Sequence, residues 1–207
     1  MKALAILDID GTITDFYKID RKIISGMYGK NKAISILDNF LWKINSLDIV
    51  TNRFLLFKIR ILLYSLINGT SYKKNMDKYK TEYVSEAKQY FEDFMKNEYV
   101  LLKAKSLSVR LLTCDLFDGY FNEEVTVVQS KRKFVFENVY GKYDKVYIIG
   151  NNYMDDIKVG IDLRAKTKDK SNVQIFYIGS SALLKKMVKN KKINICSDLS
   201  QVIKKIV

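Results

Sequence analysis

Ala3-Leu4-Ala5-Ile6-Leu7-Asp8-Ile9-Asp10-Gly11-Thr12-Ile13-Thr14 is a short apolar run that ends in two carboxylates one residue apart. A run of this length, closed by a glycine, reads as a buried strand. Carboxylates at its end cost free energy unless something neutralises them, and a divalent cation is the usual partner. Gly11 lets the chain turn sharply where a Cβ would restrict it. Thr12 and Thr14 set hydroxyls beside the acids, able to bind an anion or to orient the carboxylates. An Asp-Gly turn explains Asp10 and Gly11 by itself, but it leaves Asp8 unexplained.

Strands and helices alternate in the second half. Ser108–Thr113, Val125–Val128, Val146–Ile149, Val173–Ile178 and Ile193–Ile195 read as strands, with helices expected over Phe134–Tyr140, Asp155–Leu163 and Ala182–Lys189. Such alternation argues a doubly wound parallel α/β sheet. Sites in these sheets form at the carboxyl ends of strands, where Asp8, Thr113 and Gly150 fall.

Residues 17–105 read as almost wholly helical. Ile34, Leu37, Phe40, Leu41 and Ile44 keep helical spacing, with Trp42 beside them, and Tyr83, Ala87, Tyr90, Phe91 and Phe94 mark one face of a long helix that we read as core. Phe54–Ile67 is apolar nearly all round, broken by Lys58 and Arg60. A membrane span needs about 20 apolar residues, so this run is expected as the buried central helix of a small bundle, with shallow membrane contact as the lesser alternative. Asn68-Gly69-Thr70 ends it in a turn.

Composition narrows the chemistry. The 207 residues include no histidine, which excludes the histidine-based serine and cysteine hydrolases and His-ligated zinc. Acid–base work falls to carboxylates, lysine, tyrosine or cysteine. Two cysteines far apart in sequence, Cys114 and Cys196, do not make a disulfide framework, so a reducing cytoplasm is expected; no signal peptide is read at the front. The net charge of +13 is uneven: residues 17–105 carry 17 basic and 9 acidic side chains, and residues 164–207 carry 11 and 2. The segments between, 1–16 and 106–163, are each acidic on balance. A basic surround with an acidic centre suits an anionic ligand and a metal, although for residues 164–207 a solvated lysine-rich face is the simpler reading. No nucleic-acid-binding motif is present.

These positions together resemble the haloacid dehalogenase (HAD) superfamily, whose phosphatases carry Asp-x-Asp-x-Thr after the first strand, as in Asp8-Ile9-Asp10-Gly11-Thr12. The family's second motif, a strand ending in Thr or Ser, is matched by Leu111-Leu112-Thr113. Its third is a lysine at a helix start. Ser130-Lys131-Arg132-Lys133 offers Lys131 or Lys133, and the apolar pair Phe134-Val135 favours Lys131. Its fourth is similar to Ile148-Ile149-Gly150-Asn151-Asn152-Tyr153-Met154-Asp155-Asp156-Ile157, with Asn151 where an aspartate is usual. An amide oxygen can ligate magnesium but brings no charge.

The resemblance implies a Rossmann-like core over residues 1–16 and 106–207, with an inserted helical cap over residues 17–105 similar to that of the phosphoserine-phosphatase branch. It further implies a Mg²⁺-dependent phosphatase acting on a small phosphorylated substrate. Asp8 would be the nucleophile and Asp10 the acid and base, with Thr113 and Lys131 offsetting phosphate charge. Asp8, the Asp10 main-chain carbonyl, Asn151 and Asp156 (or Asp155) would hold the metal. The alternative implied by Asn151 is a weak or inactive protein on the same fold, binding a phosphorylated ligand, nucleic acid or anionic lipid.

Overall fold

The computed structural model describes residues 1–28, 36, 40, 53–114, 125–179, 182–189 and 191–206. Expectations resting on Ile34, Leu37, Leu41, Trp42 and Ile44 lie outside the described residues.

Six strands form one all-parallel sheet in the order β3-β2-β1-β4-β5-β6. They are β1 (Ala3–Asp8), β2 (Ser108–Cys114), β3 (Val125–Val128), β4 (Lys145–Gly150), β5 (Val173–Ile178) and β6 (Asn194–Cys196). This is a Rossmann-like α/β fold, and the order reverses direction beside β1, between β1 and β4. Every residue of β1 is buried, because helices cover both faces of the sheet.

On one face Ala3, Ala5, Leu7, Leu111, Ile149 and Phe176 pack with Phe91, Phe94, Tyr99 and Leu102 and with Val202 and Ile203; on the other, Leu4, Ile6, Leu112, Ile148, Ile175 and Tyr177 pack with Val135, Ile157, Val159 and Leu163. The alternation along each strand sends successive side chains to opposite faces.

Register sets the site. Leu7 lies level with Leu111 on one side and Ile149 on the other, and Asp8 with Leu112. Asp8, Thr113 and Gly150 therefore emerge side by side from three neighbouring strands.

The helices that follow β1 are α1 (Phe16–Tyr28), α2 (Arg53–Ile67) and α3 (Tyr72–Phe94), the last running through a π-helical turn, Met95–Tyr99, into α4 (Val100–Ala104). Phe16, Ile19, Ile23, Phe57, Ile61, Tyr79, Tyr83 and Ala87 make a third apolar cluster among them. Along α3 the packing partner changes after Ala87: from Phe91 onward the buried side chains belong to the sheet's cluster. The interval of five between Phe94 and Tyr99 would rotate an α-helix off that face, and the extra residue of the π turn restores it.

The expectation that Phe54–Ile67 forms a largely buried central helix holds on one face only. Phe57, Arg60, Ile61 and Ser65 are buried, whereas Leu62, Leu66 and Ile67 are exposed. The helix meets α1 and α3 on one face only. Arg60, read as an interruption, lies at 0% exposure, where its guanidinium donates to Asp20 at 2.6 Å while Tyr79 donates to the other oxygen at 2.8 Å. Among the described residues no helix is long and apolar enough to cross a membrane.

The remaining helices are α5 (Lys131–Asn138), α6 (Lys158–Lys166), α7 (Ala182–Val188) and α8 (Leu199–Lys205). The expected α5 began at Phe134; the Ser130 hydroxyl instead accepts from the Lys133 amide at 3.3 Å and starts the helix three residues earlier. α8 was not expected.

Candidate active site

The chain leaves β1 in a tight loop. The amides of Thr12, Ile13 and Thr14 all donate to the Ile9 carbonyl, at 3.3, 2.9 and 3.0 Å. Gly11 sits at φ +91°, and a Cβ there would lie 1.9 Å from the Asn151 amide nitrogen. Only glycine lets the loop lie against the end of β4 in this way. Gly150 has a matching role, since a Cβ there would meet the Asp156 carboxyl carbon at 2.2 Å. A π-helical turn, Tyr153–Ile157, then brings Asp156 back to the strand end, where its Oδ2 accepts from the Asn152 amide at 3.0 Å. The Asn152 side chain caps the same turn by accepting from the Met154 and Asp155 amides.

Asp8, Asp10, Thr113, Lys131, Asn151 and Asp156 are all buried at this end of the sheet. The Lys131 ammonium, at the start of α5, donates to Asp8 Oδ1 and, at 2.7 Å, to Asp156 Oδ1. Lys133 points outward, its side chain 74% exposed beside Glu137. Of the two acids in the fourth segment, Asp156 is the one brought to Lys131; Asp155 is half-buried.

Asp10 is clamped from two sides. Thr113 Oγ1 donates to its Oδ2 at 3.0 Å, and the Tyr83 hydroxyl donates to its Oδ1 at 2.9 Å. The Thr113 hydroxyl, expected to face an anion, is thus engaged with Asp10. The Thr12 hydroxyl is buried with no hydrogen-bond partner among the described residues. The helical spacing marks Tyr83 as a core aromatic and shows which face of α3 it occupies, but not what its hydroxyl reaches.

No protein-family model, curated protein or solved structure gives a match to this chain. The chemistry therefore rests on the residues themselves.

Three buried acids, Asp8, Asp10 and Asp156, share this end of the sheet with one ammonium, so acids outnumber the cation. Burial drives the Asp8 carboxyl up to about 8, and Asp156 and Asp10 add to this against the opposing pull of Lys131. Burial alone would lower the Lys131 ammonium, but Asp156 and Asp8 outweigh it and hold it well above an ordinary lysine. A site this short of positive charge, walled by hard oxygen donors, suits a hard divalent cation. Among the described residues no three acids, cysteines or histidines are grouped as a metal cage. Two carboxylates, one amide oxygen and the Asp10 main-chain carbonyl are the set that would have to serve.

A cleft of about 690 Å³ opens beside the site. It reaches the site at Gly11, Thr12, Thr14 and Asn151, and runs past Tyr17 and Tyr90 to Lys185 and Ser197. Asp8, Asp10 and Lys131 do not form its walls.

Proposed function

We propose that this chain is a Mg²⁺-dependent phosphomonoester hydrolase of the HAD type, working through an aspartyl-phosphate on Asp8. The observation that carries the reading is the Lys131 ammonium bridging Asp8 and Asp156, with Asp10 held separately two residues away. Asp8 and Asp10 are near neighbours with different environments, which suits one for attack and the other for proton transfer.

Asp8 attacks phosphorus in line, and the ester P–O bond breaks as Asp10 protonates the leaving oxygen. Asp10 then takes a proton from water, which attacks the aspartyl-phosphate to release inorganic phosphate and restore Asp8. Lys131 offsets charge on Asp8 and on the transferred group. The Thr12 hydroxyl is free to donate to a phosphate oxygen, while Thr113 keeps Asp10 oriented. Mg²⁺, held by Asp8, the Asp10 carbonyl, Asn151 and Asp156, would supply charge neutralisation and alignment. The helical segment 17–105 would act as a cap over the core, excluding water and selecting the leaving group.

Asn151 favours one rival, a non-catalytic protein of the same fold that binds a phosphorylated ligand, nucleic acid or anionic lipid. A phosphate-release screen over sugar, nucleotide, amino-acid and lipid phosphates with Mg²⁺ separates the two. We expect turnover by the native protein and none by Asp8→Asn at unchanged fold, because an amide is a poor nucleophile at phosphorus. Substantial hydrolysis by pure Asp8→Asn would remove Asp8 from its role, and binding without any turnover would favour the rival.

A further inference from the structure

We propose that Tyr83 is a positioning residue for Asp10, through which the helical segment sets the geometry of proton transfer to the leaving oxygen; this rests on the phosphatase reading above. Tyr83 reaches the acid–base carboxylate from α3, 73 residues away in sequence. Its side chain is fully buried, and its ring is held between Tyr79, stacked with centroids 6.0 Å apart, and Phe16 at 5.7 Å. A ring fixed on two sides delivers its hydroxyl to a fixed point.

That point lies 2.9 Å from Asp10 Oδ1 and 3.2 Å from Thr14 Oγ1, and the Thr14 hydroxyl has the Ile9 carbonyl 3.3 Å away as an acceptor. The phenol can donate to ionised Asp10. When Asp10 carries its proton on Oδ2, toward the leaving oxygen, Oδ1 is the carbonyl oxygen of the acid and still accepts from the phenol, whose own oxygen can accept from Thr14. A hydroxyl is both donor and acceptor, so this chain stays satisfied in both states. Tyr83 has no net proton change: the proton given to the leaving oxygen comes from Asp10. With Thr113 holding Oδ2 from β2 and Tyr83 holding Oδ1 from α3, the sheet and the helices both support the carboxylate. Phenylalanine would keep the ring packing and lose the second support.

Leaving-group dependence distinguishes this role from simple packing. An aryl phosphate expels a phenolate that needs little protonation, whereas an alkyl phosphate expels an alkoxide that needs a proton. kcat and KM would be measured with Mg²⁺ on a panel of both kinds for the native protein, Tyr83→Phe, Thr14→Val and Asp10→Asn. Because Asp10 also serves the shared hydrolysis of the aspartyl-phosphate, the readout is kcat/KM, which reports only its formation; general acid catalysis contributes roughly 10²–10⁴-fold, so we expect Tyr83→Phe to lower kcat/KM on alkyl phosphates by about 10–100-fold and on aryl phosphates by less than about threefold. Thr14→Val should show a smaller loss with the same selectivity, and it carries the test if Tyr83→Phe does not fold. Equal losses in kcat/KM on both substrate kinds would overturn the inference and leave the phosphatase reading intact. An unchanged alkyl-to-aryl ratio in Asp10→Asn would also overturn it, because Asp10 would then not be the acid. A native protein inactive on the whole panel would overturn both.

Discussion

At the scale of single residues, the two lysines of the Ser130–Lys133 cluster differ in physics more than in sequence. Lys131 is buried between two carboxylates, and Lys133 lies in solvent 3.9 Å from Glu137. Removing one partner of a buried ion pair typically costs about 3–5 kcal/mol, whereas exposed pairs contribute about 0–1 kcal/mol. Lys131→Gln should therefore lower the urea midpoint markedly and abolish turnover, while Lys133→Gln changes neither. Equal effects would contradict the bridging role of Lys131. Asn151 poses the opposite question, since a carboxylate there adds charge to a site that already carries an excess. Ligand charge governs affinity for hard cations. Asn151→Asp should tighten Mg²⁺ binding, seen both as a lower Mg²⁺ requirement for activity and as a larger Mg²⁺-induced rise in thermal midpoint. In metal-free buffer the variant should be less stable than the native chain. If neither Mg²⁺ response shifts, and Asp156→Asn stays fully active, the loop after β4 is not the metal site.

At the scale of elements, α1, α2 and α3 are tied by a polar core that apolar periodicity does not reveal. Asp20, Arg60 and Tyr79 come one from each helix and are completely buried. Arg60→Leu takes the guanidinium from a buried ion pair with Asp20 and should cost about 3–5 kcal/mol in denaturant unfolding, and adding Asp20→Asn should recover much of the loss. A double variant as unstable as the single one would show that the ion pair is not what links these helices. Arg60 breaks the apolar pattern of its run, and pattern alone cannot distinguish a solvated charge from a paired, buried one. The strands were legible for the converse reason: residues buried on both faces must be apolar, and β1, β2, β4 and β5 fall close to where their runs place them. α8 is as long as the expected α7, seven residues each, so length does not explain why it went unread. Its signal was an Asp198 cap with Gln201 three residues on, and both are used: the Gln201 amide donates to Asp198 at 2.9 Å and the Ser197 amide to the Gln201 side chain at 3.1 Å. The strand-end acids were likewise legible from their position, but the support of Asp10 by Tyr83 depends on where a distant helix comes to rest.

At the scale of the whole molecule, an acidic site lies inside a chain of net charge +13. Most of the lysines between residues 164 and 207 lie in solvent, which fits a solvated face, but Lys185 borders the cleft beside the site. Long-range attraction and a specific contact respond differently to salt, because the screening length is about 10 Å at 0.1 M. Steering by the whole field should lower kcat/KM for an anionic substrate several-fold between about 0.01 and 0.5 M salt, with kcat nearly constant. Lys185→Gln separates the local part from that field. Lys142 provides the control, because it is exposed at the opposite, amino-terminal edge of the sheet beside Met1 and Ser108. Each change removes one positive charge, so a purely global field would weaken kcat/KM similarly in both variants. A local role for Lys185 predicts a higher KM in Lys185→Gln that persists at high salt, with Lys142→Gln close to native. Matching losses in the two variants would assign the effect to net charge, and no loss in either, with no salt dependence, would leave the basic surface as solvation alone.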